Sequence, residues 1–329
     1  GYKKARSDGI HNELPTRPNR LCTWRTLQPL PRFLSRRIRI RTKPQNQEHP
    51  MNIRLTTLAA AILASHTLPG LAQSDPFIEK ILNEHYPENT AATAEYRQDL
   101  TEKRRREGVD KNIVCHYHET SEEGSSESDR FCMHFHSEKI IDGAQGKRRY
   151  LLFTGERVIR TQHFLGGLVS LMIFKADGNG WTLLDKKESH AGHWGSAPSA
   201  WQWLEFAPDH WGVKGESEHG HMGYISTDTY LLHDDNDKIY GDDILTSLDN
   251  IESLGCEERD KTCLEGEREL TSTFKMRPDL GAQAGAYPLE IRVSGQRGSK
   301  KKYDDKPFLF KYDSKTHKYI APKDYPIAE

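Results

Sequence analysis

"LMIFKADGNGWTLLD", residues 171–185, decides the fold class. Two apolar arms flank Asp177-Gly178-Asn179-Gly180, a turn string whose glycines supply the positive φ a tight hairpin needs. Outward from it, β-branched or aromatic runs recur between polar and glycine clusters. They are "NIVCHYHE" (112–119), "RFCMHFH" (130–136), "RYLLFTG" (149–155), "LVSLMIFKA" (168–176), "GWTLLDKKE" (180–188), "YISTDTYLL" (224–232), "LTSTFKM" (270–276), "PLEIRVSG" (288–295) and "PFLFKYD" (307–313). "FLFKYDSKTHKYIAP" closes the chain with a second hairpin. The pattern predicts a mainly β protein: an antiparallel sandwich, a barrel or a small propeller-like meander. No fixed-period repeat favours the propeller.

Residues 111–329 are expected to form a single β-rich domain behind a short helical N-terminal segment, 73–110. Ser74 can cap a helix that opens with Asp75-Pro76 and places Phe77, Ile78, Ile81 and Leu82 on one side. A second helix fits 91–106, ending near Gly108.

Upstream, "MNIRLTTLAAAILASHTLPGLAQ" from Met51 has the three-part order of a secretory signal. Arg54 gives the positive start. The apolar core 55–64 is short of the roughly 20 residues needed to span a bilayer. Gly70-Leu71-Ala72 offers small residues for cleavage before Gln73. The expectation is therefore a signal peptide over 51–72 and a periplasmic or secreted product. Residues 1–50 contain no methionine and are rich in arginine and proline. Gln47-Glu48-His49-Pro50 can be encoded by a string resembling a bacterial ribosome-binding site just before the codon of Met51. These fifty residues are read as untranslated leader, the alternatives being a basic tail or a transit peptide.

Residues 1–72 hold 13 of the 47 Lys and Arg but only 3 of the 48 Asp and Glu, leaving 34 basic and 45 acidic side chains, a formal charge of −11, on 73–329. Such a domain is a poor nucleic-acid binder, because neutralising phosphates dominates that affinity. The run "KRRRE" (103–107) falls where a helix should end, and facing the helix dipole accounts for it. No second apolar run approaches membrane length, so no membrane span is expected once the signal is removed.

Four cysteines follow residue 72, and an even number in an exported chain predicts two disulfides. Cys256 and Cys263 bracket "CEERDKTC", which leaves Cys115 for Cys132. His116 and His118 lie on one expected strand, His134 and His136 on the next. Residues two apart share a face, so each pair can offer two imidazoles to Zn²⁺ or Cu²⁺. Matching the apolar residues of the two strands gathers all four histidines on one face. A directly opposed Cys115–Cys132 pair takes the other parity and splits them. Both cannot hold in a regular ladder without a bulge. The disulfide is the firmer expectation, and no cofactor is required.

"HAGHWGSAPSAWQWLEFAPDHWGVKGESEHGHMGYIS" (190–226) carries Trp194, Trp201, Trp203 and Trp211, together with His190, His193, His219 and His221. It reads as glycine-bearing loops whose tryptophans either fill the core or form a ligand shelf for sugars or peptides. "HDDNDKIYGDD" (233–243) departs from the Ca²⁺-loop pattern at Lys238 and Ile239 and reads as a solvated turn. No nucleophile elbow, zinc-protease helix, phosphate loop or dinucleotide fingerprint is present. The leading functional expectation is a non-enzymatic binding or inhibitor-type protein acting on an envelope component or a protein partner. The alternative is a histidine-rich Zn or Cu metalloprotein, in one form a metal-dependent hydrolase.

Overall fold

The computed structural model describes residues 75–104, 113–121, 128–159, 165–256, 260–298 and 300–327, all in one compact unit. The expectations for 1–50 and for the signal peptide lie outside these residues.

Two helices come first, α1 (Pro76–His85) and α2 (Thr90–Arg104). The first sheet follows: β1 (His116–Ser121), β2 (Ser128–Gly143), β3 (Gly146–Arg157), β4 (Gly167–Asp177) and β5 (Gly180–Ala191). The second contains β6 (Trp201–Ala207), β7 (His210–His221), β8 (Tyr224–Asp235), β9 (Lys238–Asp249), β10 (Arg268–Met276), β11 (Leu289–Arg297), β12 (Lys301–Asp313) and β13 (Lys318–Ile320). Two short helices, α3 (Ile251–Leu254) and α4 (Lys261–Gly266), link β9 to β10. Within each sheet every strand pairs antiparallel with its neighbour in sequence, and the chain changes sheet once, between β5 and β6. The protein is thus mainly β, with two antiparallel sheets, one half-barrel and few helices.

The quoted hairpin forms as read. Asp177 pairs with Gly180, and Gly178 alone of the two central residues has a positive φ, 57°, the arrangement of a II′ turn. The tips of β7–β8 and β8–β9 instead place both central residues at positive φ: Met222 with Gly223, and Asn236 with Asp237. That is the I′ form, whose twist matches the flanking strands.

The first sheet is covered on both faces. On one, Ile78 and Ile81 of α1 pack with Phe131, Met133, Leu151, Phe153, Met172 and Phe174. On the other, Tyr150, Leu152, Val169, Leu171 and Ile173 meet Val213, Leu232 and Ile239 of the second sheet. Double coverage explains why "YLLF" and "LVSLMIF" are continuous apolar runs and do not alternate. Truncating Phe153 to Ala should cost about 3–5 kcal/mol, a large share of a domain's net stability. A separate cluster fills the second sheet, with Leu231, Ile244, Leu270, Ile291, Val293, Phe308 and Phe310 at its centre.

Charged groups tie these layers together. Asp75, not Ser74, caps α1, accepting from Phe77 N at 2.9 Å, and Arg149 reaches it at 2.5 Å. At the seam between sheets, Asp185 of β5 accepts from Ile239 N at 2.8 Å and from Lys238 Nζ at 3.2 Å. Deeper still, Asp234 is surrounded by Arg148 at 3.1 Å, the Tyr150 hydroxyl at 2.8 Å and His210 Nδ1 at 3.0 Å. Arg148 and Asp234 are almost wholly buried. A charge in such a place is tolerable only with its partners present.

Two readings are corrected, and the second helix is present with its start one residue earlier. The segment 190–226 is largely strand: β6, all of β7 and the start of β8 lie in it. "HDDNDKIYGDD" turns only at Asn236-Asp237: His233 and Asp234 are buried, and residues 238–243 open β9. The second helix begins at Thr90 and is described to Arg104.

Candidate binding site

Both expected disulfides are formed, Cys115–Cys132 and Cys256–Cys263. The β1–β2 register puts Tyr117 opposite Cys132 and His116 opposite Met133. Opposed residues share a face, so Cys115 and Tyr117 share one with Cys132 and His134, and His116 and His118 share the other with Phe131 and Met133. This is the parity of the disulfide register, although Cys115 is diagonal to Cys132 and not directly opposite. The histidines go separate ways. His116 Nδ1 lies 3.0 Å from Tyr86 O, and His118 Nε2 lies 2.9 Å from Glu188. His134 is on the α2 side beside Tyr96, and burial lowers its pKa. His136 occupies a bulge between Phe135 and Ser137. Among the described residues no three His, Cys, Asp or Glu side chains converge as metal ligands.

The tryptophans are also divided. Trp201, Trp203 and Trp211 pack against the cluster between the sheets, with Lys139 Nζ 4.0 Å above the Trp211 ring. Trp194 is 54% exposed. It belongs to a tight loop joining the sheets, in which His193 and Ser196 exchange both backbone hydrogen bonds, at 3.1 and 3.0 Å. Gly192 makes this closure feasible: its φ is 85°, and a Cβ there would stand 2.2 Å from Ser196 O. Trp194 itself is held at φ 53°, a left-handed conformation that costs a bulky residue about 1 kcal/mol or more. Backbone strain that presents a half-exposed indole marks a functional candidate.

That indole borders two cavities. One of 570 Å³ is lined by His193, Trp194, Ser196–Ser199 and the β7 residues Glu216, Ser217 and Glu218. The other, 140 Å³, is lined by His193, Trp194, His219, His221, Tyr224 and neighbours. His193 Nδ1 meets Ser217 Oγ at 2.7 Å, and its ring centroid is 5.3 Å from that of His219. His219 Nε2 pairs with Asp228 at 3.1 Å, and this hydrogen bond raises the histidine pKa. A third cavity of 340 Å³ opens along the sheet seam, with Lys187, His190, Tyr230, Asp242, Asp243 and Lys318 in its walls. Burial, with Asp228 and Asp242 adding repulsion, pushes Asp243 up to about 6. Burial likewise pushes Tyr230 up to about 12. The walls of this region therefore combine an exposed aromatic face, carboxylates and histidines.

The fold and this region define a class: an all-β meander of two sheets with a polar, carboxylate-bearing crevice beside an exposed tryptophan. No protein family, curated protein or solved structure matches the chain.

Proposed function

We propose that the protein is an exported, non-enzymatic binding protein that receives a cationic group of a basic partner in the crevice beside Trp194. The observation that carries this reading is Trp194, held at φ 53° and half exposed on the wall of a 570 Å³ cavity that Glu218 also lines, together with Glu216, which holds Lys214 Nζ at 2.6 Å. An indole face with carboxylates beside it is the chemistry that captures an ammonium or guanidinium group. The acidic charge of residues 73–329 would draw such a partner in. Export is supported by the two disulfides and by the signal-like segment at 51–72. No helix among the described residues is long and apolar enough to cross a membrane.

Calorimetric titration with an oligolysine peptide tests the binding reading. Binding is expected for the native protein, weakened about tenfold or more by Trp194→Ala and by Glu216→Gln/Glu218→Gln. The same peptide with acetylated lysines should not bind. Equal affinity of the native protein and Trp194→Ala, or of the two peptides, would refute it.

A further inference from the structure

At one end of the second sheet three cations stand in a row. The register places Arg268 of β10 opposite Arg297 of β11, and Arg297 opposite Lys301 of β12. Directly opposed residues share a face, with Cα atoms about 4.5–5.5 Å apart. Like charges so placed repel and weaken the sheet. Other cations nearby are neutralised: Arg292, also on β11, binds both Glu290 and Asp305. Arg268, Arg297 and Lys301 make no ion pair among the described residues. Lys301 instead leans on the Tyr303 ring, 5.5 Å from its centroid.

The row belongs to the face that carries the core. The next row inward is Leu270, Gly295 and Tyr303, with Leu270 and Tyr303 1% and 6% exposed. Gly295 has a φ of 120° and brings no side chain between them. Two polar atoms in these two rows are buried without a hydrogen bond, Arg268 Nε and the Tyr303 hydroxyl. Buried donors are ordinarily satisfied, and each one left over costs about 1–3 kcal/mol. Repelling cations and orphan donors on one face have a common remedy, an anion that accepts from all of them.

We propose that this end of the sheet binds a small oxyanion, a phosphate or sulfate group, held by Arg268, Arg297, Lys301 and the Tyr303 hydroxyl. Guanidinium groups match the oxygen spacing of such anions, and hydrogen bonds to a charged acceptor are the strong ones. The site is independent of the crevice at Trp194 and does not rest on that reading.

Thermal melting of the full chain in inorganic phosphate, against chloride of equal ionic strength, tests the proposal. Millimolar phosphate should raise the native midpoint. Arg297→Gln and the conservative surface change Lys301→Gln should each lose most of that shift, while Arg292→Gln keeps it. In chloride alone Arg297→Gln should melt no lower than the native protein, because a repulsion has been removed. Equal phosphate shifts in the native protein and both row variants, or no native shift, would overturn the assignment. Sedimentation with phosphatidylglycerol vesicles that Arg297→Gln abolishes would overturn the choice of a small soluble anion.

Discussion

Acidification should destabilise this protein through one buried ring, His233. Its side chain is fully buried, stacked on Phe206 at 5.0 Å with Tyr312 edge-on at 5.4 Å. Burial drives its pKa down to about 4 from 6.5, against the opposing pull of Asp235 and Asp234. The folded state therefore refuses a proton that the unfolded chain accepts. The resulting stability is whole above pH 6.5 and is lost as pH falls from there to about 4. The full shift corresponds to about 3 kcal/mol, most of it gone by about pH 4.5. For a domain of this size that is about 5–10 °C in Tm. His233→Phe keeps the aromatic packing and removes the titration. Urea unfolding of both proteins at several pH values between about 7.5 and 4.5 gives the difference directly, cancelling contributions from other groups such as His85 and His134, whose pKa values burial also lowers. Native and variant stabilities that run parallel through this range would refute the reasoning.

Glu188→Gln should act in a lower pH window. Burial opposes ionisation of Glu188, but hydrogen bonds from His118 and Lys186 outweigh it and bring the pKa to about 2 from 4.5. Its contribution, about 1–2 kcal/mol after solvent screening, should be full above pH 4.5 and vanish as pH falls through about 2, read by the same urea assay. Gly192→Ala should cost more than about 1 kcal/mol and, in the peptide titration, weaken binding, because the loop that presents Trp194 cannot close around a Cβ. Denatured but unreduced protein should show no reactive thiol within 73–329, and replacing both Cys115 and Cys132 by Ala should remove about 3 kcal/mol, measured by melting against the native protein.

The sequence showed the strands whose composition is ordinary and hid those built from unusual residues. "HWGVKGESEHGH" is β7, yet its glycines resemble turn signals. Gly212 and Gly215 serve close packing: a Cβ on the first would stand 2.3 Å from Leu232 O, and on the second 2.7 Å from the Trp201 ring. Glycine within a strand often marks such close approaches. The β8–β9 turn was legible in Asn236-Asp237, but the acids around it concealed that His233 and Asp234 belong to the interior. Two partners of Asp234, Arg148 and Tyr150, lie more than eighty residues away, a distance at which pattern reading has no signal. The same limit applies to the cation row, where Arg268, Arg297 and Lys301 become neighbours only through register. At the β1–β2 hairpin the sequence did offer both parities, and covalent closure by Cys115–Cys132 accompanies the one adopted.

Because within each sheet every strand pairs with its neighbour in sequence, each sheet can assemble in the order in which its chain is delivered. Each new hairpin closes a short loop and is templated by an edge already in place, so little chain entropy is spent before contacts form. Slow folding of β proteins comes chiefly from pairing distant segments. In this protein such long-range closure falls to the docking of the two sheets, where Arg148 must find Asp234 and Asp185 must find Ile239, and to the seating of the N-terminal helix and the C-terminal segment, where Asp75 meets Arg149 and Tyr319 meets Asp242. Sheet formation should be fast and sequential from the N-terminal side, and the late, rate-limiting event should be the joining of two prefolded halves across a charged seam.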